Sequence, residues 1–249
     1  MSDSQTVYGL HAVQALLQSA PQRVRHLYIL QGRNDPRLQK ILSLAQANDI
    51  QLQHKPRAQL DTMVDNENHQ GVVAQCQAGE SHDEAFLFSM LEELDRPALL
   101  LVLDGVTDPH NLGACLRSAE AAGVNAVIAP KDKSASLTSV ARKVACGAAE
   151  VLPFVPVTNL ARTLKKLQDA GVWLVGAAGE AEQTVYQADL TGSIALVMGA
   201  EGQGLRRLTR ETCDYLVKIP MAGSVSSLNV SVATGVCLFE AVRQRAANT

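Results

Sequence analysis

No apolar run in this 249-residue chain is long enough to cross a bilayer. The longest, Pro97-Ala-Leu-Leu-Leu-Val-Leu103, falls far short of the about 20 residues that a spanning helix needs. The opening Met1-Ser-Asp-Ser-Gln-Thr carries neither a basic nor an apolar segment, so no secretory signal is expected. Cysteine is sparse and its spacing unpaired. Cys76, Cys115, Cys146, Cys213 and Cys237 are odd in number, and no two stand close enough for a zinc knuckle or a redox pair. Reduced, buried thiols of a cytoplasmic protein are expected. The histidines are scattered without ligand spacing, so no metal is expected. A strong charge of either sign is also absent: 22 basic and 25 acidic residues give −3. That excludes a bulk electrostatic binder of nucleic acid and leaves a local patch open. The absence of repeat and bias excludes coiled coil, collagen and low-complexity chains.

What is present is the composition of a globular protein, 47% apolar and 19% charged. The length suits one or two domains, with a core large enough to stand without disulfides or metal. Charge divides the chain. The first 80 residues balance, residues 81–96 carry −4, and the remainder carries +1. The turn-rich acidic stretch Gly79-Glu-Ser-His-Asp-Glu84 reads as a linker, followed by a short helix over 85–94. The expected organisation is a small α/β domain over 1–78, a linker with its helix over 79–96, and a larger α/β domain over 97–249.

In the first domain Leu10, Val13, Leu16 and Leu17 share a helical face, and 24–30 is rich in strand formers. Asp35-Pro36 is a cap followed by proline at the first helical position, ahead of Leu38, Ile41, Leu42 and Ala45. A weak strand over 50–53, a helix over 58–64 and a strand over 71–77 complete it. In the second domain apolar strands at 99–103, 124–129, 172–177, 194–198 and 215–219 alternate with helices at 111–122, 140–146, 160–170 and 230–245. The 160–170 helix is capped by Thr158 or Asn159. Such alternation means a parallel sheet covered on both faces, with ligands at the strands' carboxyl ends.

Three loops at those ends are unusual. The first, Asp104-Gly-Val-Thr-Asp-Pro-His-Asn-Leu-Gly-Ala-Cys-Leu-Arg117, leaves a buried strand and starts a helix. Asn111 and Gly113 stand in its first turn, and Arg117 lies one turn beyond Gly113. The second, Ile194-Ala-Leu-Val-Met-Gly-Ala-Glu-Gly-Gln-Gly204, carries three glycines around Glu201. It lacks the Gly-Lys-Ser/Thr of a P-loop and inverts the spacing of the dinucleotide fingerprint. The third, Ile219-Pro-Met-Ala-Gly-Ser-Val-Ser-Ser-Leu-Asn-Val-Ser-Val-Ala233, crowds Ser226, Ser227 and Asn229 at the start of the last helix. Capping needs one of these, and the helix N-terminus suits an anion. A serine nucleophile is disfavoured, because Gly223-Ser-Val-Ser-Ser227 lacks the second glycine of a nucleophile elbow.

In this order the three loops resemble the three motifs of the SPOUT methyltransferases, in the TrmH branch of 2′-O-ribose methylases. The matching segments are Asp108-Pro-His-Asn-Leu-Gly-Ala-Cys-Leu-Arg-Ser-Ala119, Val197-Met-Gly-Ala-Glu-Gly202 and Ile219-Pro-Met through Ser227-Leu-Asn-Val-Ser-Val-Ala233. The start Tyr8-Gly-Leu-His-Ala-Val-Gln-Ala-Leu-Leu and the acidic linker narrow the resemblance to enzymes acting on 23S rRNA. The resemblance implies a C-terminal parallel sheet with a deep trefoil knot, and an N-terminal domain of the L30e/L7Ae type that helps to select RNA. It implies a homodimer with its active site between knotted domains. The implied reaction moves a methyl group from S-adenosylmethionine to the ribose 2′-hydroxyl of a guanosine, in the peptidyl-transferase P loop. The substrate would be 23S rRNA or an assembly intermediate, with S-adenosylhomocysteine as product and no metal or membrane involved. Carried over by position, Gly199, Ile219, Met221 and Leu228 would hold the cofactor. Asn111, Arg117, Glu201, Ser227 and Asn229 would form the catalytic set, with Arg117 reaching in from the partner subunit.

Neutralising a guanidinium of ordinary pKa, about 13, at pH 7 costs roughly 8 kcal/mol. A phosphate clamp is therefore the expected role of Arg117 rather than a base. Which N-terminal residues touch RNA is open; Arg23, Arg25, Arg33 and Arg37 are candidates because they cluster.

Overall fold

The structure is a computed structural model that describes residues 4–79 and 82–247. Met1, Ser2 and Asp3 of the opening segment, and Glu80 and Ser81 of the acidic linker, lie outside the described residues. The chain divides into two compact units. One takes the residues up to the linker together with Leu137–Val151, and the other takes the rest.

The first unit is built on β1 (Ser4–Tyr8), α1 (Leu10–Ser19), β2 (Val24–Leu30), α2 (Pro36–Ala47), β3 (Gln51–Lys55), α3 (Arg57–Met63) and β4 (Val72–Gln77). Its four-stranded sheet runs β1-β4-β2-β3. β4 is antiparallel to both β1 and β2, and β3 pairs parallel with β2. Asp35 caps α2 through the backbone N–H groups of Arg37 and Leu38, as its position before Pro36 predicts. Leu16, Leu17, Leu27, Ile29, Leu38 and Ile41 are fully buried where α1 and α2 cover the sheet. Each contributes about 2 kcal/mol of apolar burial. The edge strand β1 was not legible in the sequence, because its segment Ser-Gln-Thr-Val-Tyr is too polar for an apolar alternation to show.

The second unit runs α4 (Glu84–Glu93), β5 (Leu99–Asp104), α5 (Pro109–Ala121) and β6 (Ala126–Pro130). The chain then passes through α6 (Ser139–Val144) and α7 (Ala148–Val151), which belong to the first unit. It resumes with β7 (Phe154–Val157), α8 (Leu160–Asp169), β8 (Trp173–Ala177), β9 (Ile194–Gly199), α9 (Arg207–Thr212), β10 (Tyr215–Val217) and α10 (Val230–Ala246). All six strands are parallel, in the order β10-β8-β9-β5-β6-β7. Every residue of the central β5 is buried, as expected of a strand covered on both faces. β7 was hidden by Pro153 and Pro156, which signal against a strand. It stands at the sheet edge, where proline is tolerated.

Within the first unit, α6 and α7 are held by charge and by a glycine. The Glu150 side chain is only 1% exposed and accepts from Arg142 at 2.7 Å and from Arg23 at 3.4 Å. Arg23 also donates to the Gln77 carbonyl at the end of β4. Gly147 has φ +98°, and a Cβ there would lie 2.5 Å from the Ala15 Cβ of α1. Glu150→Ala removes the carboxylate that two largely buried guanidinium groups share, with Arg23 keeping its bond to the Gln77 carbonyl. It is expected to destabilise the first unit by about 3 kcal/mol, read as a lowered urea midpoint. A change under about 0.5 kcal/mol would show that the pair is screened like a surface bridge.

Candidate functional site

The three unusual loops follow β5, β9 and β10, so the parallel sheet delivers all of them to one rim. Asp104 ties the start of the first loop to the chain just after the second. Asp104, the last residue of β5, is completely buried. Its Oδ2 accepts from the Arg206 backbone N–H at 2.9 Å, and the Arg206 guanidinium lies 3.4 Å from Oδ1. Arg206 also donates to the Lys133 carbonyl at 3.2 Å. Gly105, at φ +84°, leaves room for that guanidinium: a Cβ would meet its Nη2 at 3.1 Å.

The second loop folds back on its own strand. Ala200 and Gly204 exchange backbone hydrogen bonds of 3.1 and 2.9 Å. Gly202 and Gly204 take left-handed backbone at φ +76° and +68°. A Cβ on Gly199 would lie 2.1 Å from the Gly204 carbonyl carbon and 2.3 Å from the Leu205 nitrogen. No side chain fits there. The close backbone approach that the three glycines signal is therefore, at Gly199, an approach of the loop to itself, and it holds Glu201 at the exposed tip.

The third loop ends in Asn229, which caps α10 by accepting from the Ser231 backbone N–H at 2.9 Å. The Asn229 amide donates to Asn111 Oδ1 at 3.0 Å and to Glu201 Oε2 at 3.4 Å. The Asn111 amide donates to the same Glu201 oxygen at 3.3 Å. One residue from each loop thus meets in a closed set of three hydrogen bonds. Packing of α10 on α5 keeps the two asparagines adjacent, and Cys115 and Thr234 touch at 3.6 Å between those helices.

Beside this set lies a cleft of about 800 Å³. Gly199 through Leu205, Ile219, Met221, Ser227 and Leu228 line it, together with Ala177 at the end of β8 and Ala178 to Glu180 after it. A space of this size with apolar walls and converging backbone groups suits a molecule with a flat ring and charged ends. Glu180, Glu201, Arg210 and Lys218 on the lining supply charge of both signs. The donor set fits S-adenosylmethionine.

The structure brings Asn111, Glu201 and Asn229 into direct contact and sets Gly199, Ile219, Met221, Ser227 and Leu228 around the cleft. It does not bring Arg117 there. Arg117 is exposed on α5 and is not among the residues lining the cleft, whereas Gly113, one turn earlier, is buried. Sequence reasoning missed the loop after β8, although Gly176 and Gly179 bracket it just as glycines mark the other loops. It also missed the Asp104–Arg206 tie. Burial raises the thiols of Cys76 and Cys115 to about 11 and those of Cys213 and Cys237 to about 12, so these four remain protonated.

Residues 98–239 match the family model described as SpoU rRNA Methylase, and residues 6–81 match RNA 2′-O ribose methyltransferase substrate binding. The chain is 63% identical over 245 residues to the 23S rRNA (guanosine-2′-O-)-methyltransferase RlmB of Pseudomonas putida, covering 98% of each. It is 59% identical over 242 residues to the protein of the same name from Escherichia coli, covering 97% of this chain and 99% of that one. Among solved structures it resembles the SpoU methyltransferase AviRb from Streptomyces viridochromogenes, in complex with AdoMet. The TM-score is 0.80 at 25% identity, covering 98% of this chain and 91% of that one.

Gly199→Ala tests the close approach. The added methyl is expected to displace the 200–205 loop and to weaken S-adenosylmethionine binding at least about tenfold in calorimetry. Unchanged affinity would mean that the loop position does not shape the cleft.

Proposed function

The chain belongs to the SpoU rRNA methylase family, and on that premise we propose that it transfers a methyl group from S-adenosylmethionine to the ribose 2′-hydroxyl of a guanosine in 23S rRNA. The observation that carries the reading is the meeting of Asn111, Glu201 and Asn229 at the rim of the cleft bounded by Gly199, Ile219, Met221 and Leu228. The peptidyl-transferase P loop as the modified segment belongs to the same proposal, with mature rRNA or an assembly intermediate as the particle methylated. A trefoil knot in the second unit belongs to it as well. What supports the knot is that the loop after β9 and the segment before α10 line one cleft, while α10 returns to pack on α5. A cytoplasmic location is part of the reading. Among the described residues no helix is long and apolar enough to cross a membrane.

S-adenosylmethionine, when bound, supplies a methyl group already activated by its sulfonium. The protein has two tasks left: aligning the 2′-oxygen, worth up to about 7–11 kcal/mol in favourable cases, and easing removal of its proton. The backbone around Gly199, Ile219, Met221 and Leu228 forms the apolar slot and holds the cofactor. Asn111 and Asn229 fix the Glu201 carboxylate by donating to one of its oxygens, leaving the other to accept from a ribose hydroxyl. Ser227, exposed on the lining, is placed to donate to the substrate.

Arg117 acts from a partner subunit in this reading, gripping the substrate phosphate and stabilising the forming oxyanion. Two observations support the homodimer. Arg117 is exposed and does not line its own cleft. On α10, which packs on the Arg117 helix, Val232 and Phe239 stand seven residues apart and are 52% and 50% exposed. That spacing puts them on one helix face, an apolar stripe suited to a second copy.

The test of the reaction uses methyl-labelled S-adenosylmethionine, unmodified 23S rRNA and alkaline hydrolysis. Ribose methylation blocks the oxygen that alkali cleavage needs, so label is expected in an alkali-resistant dinucleotide beginning with guanosine. Label in mononucleotides would mean base methylation and would overturn the assignment. For the clamp, Arg117→Ala is expected to lower kcat about 100-fold, and Arg117→Lys to recover only a small part of that. Near-full activity with lysine would rule out a planar, two-pronged grip.

A further inference from the structure

The first unit holds a second pocket, of about 320 Å³, between the end of β2, the start of α3 and the loop over 64–71. That loop is an unusual piece of backbone. Asp65, Asn66 and Gln70 all take left-handed conformations, at φ 51°, 61° and 48°. Conformations of this kind persist only where the surroundings hold them, and they gather at binding sites. Here the holding element is His69, which is 3% exposed. Its Nδ1 accepts from the Gly71 backbone N–H at 2.9 Å, so the ring proton sits on Nε2 and is donated to Asp61 at 3.0 Å. Gln70 adds two more ties. Its side-chain oxygen accepts from the Leu10 N–H at 3.1 Å, and its carbonyl accepts from Arg33.

The charges on the pocket wall are largely matched within the unit. Arg33 pairs with Asp35 and Glu67 with Lys143, while Asp61 accepts from the neutral His69 ring and faces Arg57. What stands out toward solvent is the side chain of Arg57, 76% exposed and 3.8 Å from Asp61, together with the amides of Asn66 and Asn68. Asn68 spends its oxygen on the Gln70 N–H at 3.3 Å and keeps its NH₂ to donate. A nearly neutral hollow with amide groups and one cation at its mouth is poorly suited to a free polyphosphate. It suits one uncharged ring edge with a single phosphate beside it. Single-stranded RNA is read in that way, through unstacked bases hydrogen-bonded at their edges.

We infer that this pocket seats one unstacked nucleotide of the RNA, its base edge on Asn66 and Asn68 and its phosphate on Arg57. The inference rests on the rRNA reading above, and it assigns particular residues to RNA binding within the segment that matches the substrate-binding family model. Of the arginines that cluster in the sequence, Arg33 then serves as a wall of the pocket and Arg23 as a structural tie to Glu150.

The test uses the full-length protein with the variants Arg57→Ala and Asn66→Gly. Glycine removes the amide while tolerating φ near +60°, and both positions are exposed, so the melting temperature checks folding. Affinity for unmodified 23S rRNA is measured by filter binding alongside the KM for methyl transfer. Each variant is expected to weaken RNA binding about tenfold and to raise the KM in step, with affinity for S-adenosylmethionine unchanged. Unchanged RNA affinity in both variants would overturn the pocket, as would an equal loss on RNA of random sequence. If the unaltered protein methylates no rRNA while the variants still lose rRNA affinity, the methylation reading fails and the pocket stands.

Discussion

The site depends on Gly199 having no side chain. At the end of β9 the chain must turn and lie back on itself within the space that a single Cβ would fill. Because it does, the loop carrying Glu201 reaches the two asparagines instead of extending past the sheet. Asp104 fastens the other end of that loop through the Arg206 N–H. A buried carboxylate is costly without partners, so its presence beneath the rim commits the backbone there to one arrangement. The Glu201 carboxylate is exposed, but both ends of its loop are anchored in the core. Alignment of this kind is what a methyl transfer with an activated donor asks of its enzyme.

The three loops at the rim were legible because each breaks the local rules of an α/β domain. Glycines after a buried strand, several cap-type residues where one suffices, and a carboxylate between glycines all announced a close approach. That sequence pattern located Asn111, Glu201 and Asn229, but it said nothing of how they would be joined. Their contact depends on the spatial order of the strands, with β9 beside β5 although the two lie far apart in the chain. The contribution of Ala177 to Glu180 was hidden for the same reason. That loop becomes part of the cleft only because β8 lies between β9 and β10.

Elements that escaped the sequence reading share a physical cause. β1 and β7 are edge strands, where polar residues and proline are tolerated and the apolar signal fades. α7 and α9 are short, six residues or fewer, and owe their place to neighbours more than to their own periodicity. The attachment of α6 and α7 to the first unit could not be read from chain order. It is made by contacts distant in the chain: Glu150 with Arg23, 127 residues upstream, and Lys143 with Glu67, 76 residues upstream. Packing divides the units within the acidic linker and adds Leu137–Val151 to the first, an exchange that chain order does not announce.

The closed set of hydrogen bonds implies that Asn111, Glu201 and Asn229 work as one device rather than as three independent contacts. The most direct measurement is a double-mutant cycle on the single-turnover rate of methyl transfer, with Asn111→Ala, Asn229→Ala and both together. Each amide donates to the same Glu201 oxygen, and each is bonded to the other. The double variant is expected to lose little more than the worse single one, a coupling of about 1 kcal/mol or more. Losses that simply add would contradict it.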